Sequence, residues 1–180
     1  MKVYHGSDTV VQKPRILHSK RRMDFGSGFY TTQSRTQAEK WARSVRRRRD
    51  SPEAFVTEFD YEEKPEMNVL IFDGPFAEWF DFIIRNRKGT FTHDYDIIIG
   101  PVADDSVYDT LFQNRTLNYG RKYTVADDSV YDTLFLFESG YITREEAIRK
   151  LNSAKLDGQI LFHTDKSLEC ITYIDSWEVE

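Results

Sequence analysis

With Cys170 as its one cysteine, the chain can close no internal disulfide, and nothing in it points to an oxidising compartment. Beside Leu168 and Ile171, that thiol reads as a core group rather than a nucleophile. No apolar run approaches the roughly 20 residues that a membrane-spanning helix needs. Met1-Lys2-Val3-Tyr4-His5 lacks the apolar stretch of a secretion signal. The expectation is a soluble, cytoplasmic chain without a membrane partner. His5, His18, His93 and His163 show no paired zinc spacing, so no metal is expected. There is no phosphate-binding Gly-Lys-Ser/Thr loop and no Gly-x-Ser-x-Gly elbow. Gly26-x-Gly28 has Thr31 where the third glycine of a dinucleotide fingerprint would stand, and a strand-like run follows it before any helix. Metalloenzyme, serine-hydrolase and Rossmann readings fall away together.

What is present suits one domain spanning residues 1–180, long enough to bury a core without disulfide or metal. The charge is unevenly spread. Residues 1–50 hold 13 Lys and Arg against 4 Asp and Glu, and residues 51–180 hold 12 against 26. A basic face of this kind collects phosphates, whether from a dinucleotide or a nucleic acid, and specifies neither.

The stretch with most local character is Asp24-Phe25-Gly26-Ser27-Gly28-Phe29-Tyr30-Thr31-Thr32, a glycine-rich turn feeding a β-branched and aromatic run. Two readings stand for it: a tight turn before an ordinary strand, or a loop whose bare main chain admits a flat ligand, with Tyr30 on the strand below. Val3 to Ser7 reads as a strand with His5 at its mouth. Residues 9–23 are a long basic loop without periodicity. From Arg35 the pattern turns helical, with Ala38, Trp41, Ala42 and Val45 on one stripe, a capping box from Ser34 and Gln37, and an arginine-rich end at Arg46 to Arg49. Those arginines suit a helix C-terminus and equally a phosphate or RNA patch.

Strands are predicted over 53–62, 68–72, 95–102, 159–162 and 171–179. Asp73 and Pro75 suggest the start of a helix that buries Phe76, Trp79, Phe80, Ile83 and Ile84. Thr143 and Glu146 form a second capping box, opening a helix to about Lys155 with Ala147, Leu151 and Ala154 on one side. One anomaly breaks the α+β order. Val-Ala-Asp-Asp-Ser-Val-Tyr-Asp-Thr-Leu-Phe stands at 102–112 and again at 125–135, a 23-residue tandem duplication or an insertion. The fold is expected to need one copy, with the surplus looped out or in an extended helical segment. Asp104, Asp105, Asp127 and Asp128 within it read as helix caps rather than metal ligands.

Three separated motifs remain: Tyr4-His5-Gly6-Ser7, Gly28-Phe29-Tyr30 with Trp41 eleven positions after Tyr30, and Gln159-Ile160-Leu161-Phe162. Their order and spacing resemble the ADP-ribosyltransferases of the diphtheria-toxin and poly-ADP-ribose-polymerase branch. More narrowly, Tyr-His-Gly-Ser, Asp-Phe-Gly-x-Gly-Phe-Tyr-Thr-Thr and Ile-Gly-Pro-Val-Ala-Asp-Asp resemble a bacterial family catalogued as a domain of unknown function. The resemblance implies an α+β fold of two small packed sheets flanked by helices around an NAD cleft, with NAD as substrate. It implies that His5 bonds the adenosine ribose and Gly6 the nicotinamide carboxamide. Ser7, Gly28 and Phe29 would complete the surroundings, and Tyr30 and Trp41 would sandwich the nicotinamide. Gln159 stands where the family commonly has a catalytic Glu, so His5, Tyr30 and Gln159 are the implied catalytic set. The implied activity is transfer of a single ADP-ribose to a protein or nucleic-acid acceptor, as in a bacterial toxin or phage-conflict effector with an antitoxin or immunity partner. The alternatives are an inactive module that binds NAD, ADP-ribose or another protein, and an RNA-processing relative that uses the basic patch.

Overall fold

The computed structural model describes residues 1–18, 23–89, 91–102, 130–152 and 156–180. Two small sheets carry the architecture. The first has the order β1 (Lys2–Ser7), β3 (Phe55–Tyr61), β7 (Ile171–Glu178), all antiparallel. The second has the order β2 (Phe29–Thr31), β6 (Gly158–Phe162), β5 (Ile97–Pro101), β4 (Val69–Ile71), with β4 and β5 parallel and joined through helix α2 (Ala77–Lys88). The remaining helices among the described residues are α1 (Arg35–Arg49), α3 (Val130–Glu138), α4 (Arg144–Asn152) and a 3-10 turn at Lys166–Cys170.

Strand alternation divides the core into three layers. Val3, Phe29, Phe59, Ile97, Ile160 and Phe162 fill the space between the two sheets. On the far side of the second sheet, Phe25, Trp79, Ile83, Ile98 and Leu161 pack under α2, with Leu134 of α3 and Leu151 of α4. On the far side of the first, Ala38 and Ala42 of α1 meet Val56 and Ala54. Small residues on α1 let it lie almost on the backbone of β1. A Cβ at Gly6 would stand 2.0 Å from the Ala38 carbonyl oxygen and 2.7 Å from the Ala42 amide nitrogen. Main-chain atoms cannot move aside cheaply. Gly6→Ala is therefore expected to cost about 1–3 kcal/mol of stability, as overpacking does, read by urea unfolding; a loss under half of that range's lower bound would contradict the contact.

The predicted elements stand where the periodicity put them, with three differences at their starts. Ser34 caps α1 by accepting from the Gln37 amide at 3.2 Å, but the Gln37 side chain does not return to close the box. It turns to Thr32, whose hydroxyl donates to Gln37 Oε1 at 3.3 Å and accepts from the Ser34 amide at 3.1 Å. In α4, by contrast, Thr143 and Glu146 complete the reciprocal pair at 2.8 and 3.2 Å. Asp73 does not cap α2, which begins four residues later with Phe76 at the cap and no side-chain hydrogen bond there. Phe76 is 55% exposed rather than buried, and Phe82 takes its place in the core. In the duplicated segment, the second copy enters α3 from Val130, while Asp104, Asp105, Asp127 and Asp128 lie outside the described residues, as does Ala154. Cys170 is buried, which pushes its thiol pKa up and fits a core position.

Candidate functional site

The two sheets touch at one corner and then part. Tyr4 of β1 exchanges both main-chain hydrogen bonds with Thr32, at 2.8 and 2.9 Å. Continuing that register would set Gly6 opposite Tyr30, but no further pair forms. In the gap the His5 ring donates through Nδ1 to the Tyr30 carbonyl at 2.7 Å. Because Tyr4 points its N–H and C=O away from β3, alternation turns those of Gly6 to the same open edge. Neither Gly6 group has a hydrogen-bond partner among the described residues. A donor and an acceptor thus stand side by side on an unpaired strand edge, at a glycine that is itself buried.

The carbonyl partner fixes the proton of His5 on Nδ1 and leaves Nε2 as an acceptor. Burial holds the His5 pKa below its ordinary value, with the Arg49 charge acting the same way against the Tyr30 bond. The ring lies 4.4 Å from that of Phe29, which is itself 4% exposed and belongs to the inter-sheet core. Phe29 therefore supports His5 from behind. Ser7 is buried and its hydroxyl donates to Asp8 at 3.3 Å.

Tyr30 stands on the opposite face of β2, packed with the layer under α2. Its hydroxyl donates to the Gly26 carbonyl at 2.7 Å and accepts from the Phe25 amide at 3.2 Å. Other groups hold the same turn. His163 donates from Nδ1 to the Ser27 carbonyl at 2.7 Å, His93 Nε2 reaches the Phe25 carbonyl at 3.4 Å, and Arg87 grips Asp24 through Nε at 3.0 Å and Nη2 at 2.7 Å. Gly26 takes φ +98°, a conformation that favours glycine. Gly28 serves close approach of another kind, since a Cβ there would meet the Leu161 side chain and the Phe162 carbonyl, both at 2.4 Å. The side of Gly28 that a Cβ would occupy is thus filled by β6.

Gln159 pairs with Gly100 of β5 and shares the face of β6 on which Leu161 stands opposite Tyr30. It is 3% exposed, and its Nε2 donates to the Pro101 carbonyl at 3.4 Å, the same oxygen that accepts from Trp79 Nε1 at 3.0 Å. Trp41 is half-buried on α1, one turn after Gln37, whose side chain reaches Thr32 at the corner. Tyr30 and Gln159 share the outer face of the second sheet, and Trp41 stands on the helix that covers the outer face of the first.

Sequence reasoning did not find Thr32, Asp24, Arg87, His93 or His163, whose roles depend on partners 5 to 136 positions away. The arginine-rich end of α1 is partly engaged within the chain: Arg49 bonds Asp8 at 2.8 Å, and Asp8 also accepts from Ser51 at 2.7 Å.

The family described as "Protein of unknown function (DUF3990)" matches residues 1–122 and 113–173. The chain belongs to that family. Its two matched stretches overlap over 113–122, between the two copies of the repeat, as a duplicated segment makes them do. No curated protein and no solved structure matches the chain. Among the described residues no helix is long and apolar enough to cross a membrane, and no group of three or more His, Cys, Asp or Glu gathers as metal ligands would.

The histidines give this family member a pH signature. His5 and His93 both have pKa values lowered from 6.5, each chiefly by burial, with the nearby His163 adding to the effect on His93. A histidine whose folded pKa lies below the unfolded value stabilises fully above the unfolded value, and that stability is lost as pH falls toward the folded one. The carboxylates Asp8 and Asp96, lowered from 3.8 despite partial desolvation, lose theirs only in stronger acid. The melting temperature is therefore expected to fall from pH 7.5 to 5.5, before any carboxylate contributes. Replacing His5 and His93 by Gln should flatten that slope; an unaltered slope in the variant would assign it elsewhere.

Proposed function

We propose that the chain is an ADP-ribosyltransferase-like enzyme that cleaves the nicotinamide–ribose bond of NAD and passes a single ADP-ribose to a protein or nucleic-acid acceptor. The observation that carries the reading is the unpaired edge of β1 facing β2, where the N–H and C=O of Gly6 lie beside neutral His5. A carboxamide presents one acceptor and two donor hydrogens, the complement of a strand-edge N–H and C=O pair. His5 Nε2 can accept from a ribose hydroxyl. A flat pyridinium ring suits an aromatic face, and Tyr30 and Trp41 are the two candidates to supply it.

Breaking the glycosidic bond develops positive charge at the ribose C1′, and Gln159 would meet the sugar with an amide dipole rather than a full negative charge. That departure favours slow, single transfer over chain elongation. It also gives weight to a second reading, a module that binds NAD or ADP-ribose without turnover, because the Gln159 amide has its Nε2 engaged by Pro101. The RNA-processing reading has less support, since Arg49 in the basic patch is held by Asp8.

Incubation with NAD and a lysate distinguishes the two leading readings. Turnover gives free nicotinamide and single ADP-ribose adducts; binding without release gives the silent module. Tyr30→Ala is expected to abolish both release and binding, whereas Gln159→Ala should lower kcat more than NAD affinity. Equal losses in kcat and affinity would contradict the place given to Gln159 at the sugar.

A further inference from the structure

Helix α1 carries seven Lys and Arg against one Glu, while the rest of the chain carries 18 against 29. Its charge is opposite in sign to that of the remainder. At about 100° per residue, Lys40, Arg43 and Arg47 fall on one ridge, turned away from buried Ala38 and Ala42, and all three are exposed. The ridge is about 10 Å long at 1.5 Å per residue. Arg46 and Arg48 start about 100° to either side of Arg47, so the helix end presents cations outward and on both flanks. Arg43 donates to the Glu180 carbonyl at 2.8 Å and lies 3.9 Å from Glu39, and Arg49 is held by Asp8. Among the described residues, the side chains of Lys40, Arg46 and Arg47 have no ion pair or hydrogen-bond partner.

Two features separate this ridge from an ordinary solvated helix end. The macrodipole favours cations only within the last turn, and Lys40 and Arg43 stand before it. Lys40 with Arg43, Arg43 with Arg46 and Arg43 with Arg47 are like-charge pairs at i,i+3 and i,i+4, each of which costs helix stability. Glu39 is the one acid in the helix to offset them.

We infer that the outward side of α1 is a docking surface for double-stranded DNA, bound through its phosphates without regard to sequence. The inference goes beyond the NAD reading and does not depend on it. Six of the seven cations are arginines, whose fork matches a phosphate through two hydrogen bonds. With the remainder negative, a polyanion is steered to this one side. A protein partner would use an apolar centre, and α1 exposes no large hydrophobic side chain; Trp41 is half-buried and off the ridge. The same lack of an exposed ring disfavours a single strand, whose bases need stacking surfaces. α1 is also the outer layer over the first sheet. The major groove of B-form DNA, about 12 Å wide, admits a helix, and that of duplex RNA is too narrow. In that groove the two flanks of α1 face phosphates of opposite strands.

A fluorescein-labelled duplex of mixed sequence and about 20 base pairs, two turns of B-form, is the probe, titrated with the full chain and read by anisotropy. With three phosphates neutralised, each adding about 0.9 to the log–log slope, affinity should fall roughly fortyfold between 50 and 200 mM salt. Lys40→Gln/Arg46→Gln/Arg47→Gln should bind at least tenfold more weakly at the lower salt and lose most of that slope, with a melting curve to verify folding. Lys40→Gln alone should lower the slope by about 0.9, and Arg46→Lys/Arg47→Lys should keep it. Lys64→Gln/Lys88→Gln/Arg144→Gln removes the same charge away from α1 and should bind as wild type does; an equal loss there overturns the ridge in favour of net charge. No binding at the lower salt overturns the inference outright. Tighter binding of the single strand, of the same sequence as duplex RNA or of polyglutamate overturns the choice of partner.

Discussion

Asp24→Ala is expected to lower stability by about 3–5 kcal/mol, the usual result of stripping one partner from a buried ion pair. The Asp24 and Arg87 side chains are only 9% and 13% exposed, and Arg87 offers two nitrogens to one carboxylate oxygen. Removing the carboxylate takes from a mostly buried guanidinium the oxygen that it grips through two nitrogens. For a chain of this size, about 2–4 °C per kcal/mol translates the loss into roughly 6 to 20 °C of melting temperature. The effect should reach the site as well, because the turn after Asp24 supplies both hydrogen-bond partners of the Tyr30 hydroxyl. Replacing the whole pair, Asp24→Leu with Arg87→Met, should recover much of the stability, since neither charge is then left buried without the other. Thermal unfolding of the two variants checks this. A loss below about 1 kcal/mol in the single variant would mean that the pair behaves as a surface contact.

Gln159→Glu is expected to raise the rate of nicotinamide release about a hundred- to a thousandfold, the scale of one preorganised electrostatic contact at a developing charge. The gain has a condition set by burial. A carboxyl at a position 3% exposed, facing the Pro101 carbonyl instead of donating to it, has its pKa raised by desolvation. It acts on the oxocarbenium-like sugar only when ionised, so the increase should grow with pH. The same shift sets the sign for stability: an acid whose folded pKa is raised loses stability as pH rises through the unfolded value toward the folded one. The variant should therefore become faster and less stable together on going from pH 6 to 9. A folded variant with wild-type rates across that range would remove residue 159 from the reacting sugar.

Much of the fold was legible because its signals are local. The alternation in Phe55 to Tyr61 and the stripe of α2 survive in the structure, and Thr143 with Glu146 caps α4 as the spacing requires. The misreadings fall where a short-range rule met a longer-range competitor. Gln37 had the spacing to close a cap on Ser34, yet Thr32, fixed at the sheet corner by Tyr4, offered a buried hydroxyl. Asp73 had the residue type of a cap, but the chain runs on to Phe76 before the helix turns.

By itself the sequence determined the elements, their order, the apolar faces, the uneven charge and the three motifs, since each depends on neighbours within a turn or two of chain. Only the tertiary structure decided that β1 and β2 meet at Tyr4 and Thr32 and then part, leaving the Gly6 edge open beside His5. It alone brought Asp73 and Asp157 to a cavity that Gln159 also lines. The reason is physical: hydrogen-bond pairing between distant strands and the closing of cavities are set by how whole sheets pack, and no stretch of a few residues carries that packing.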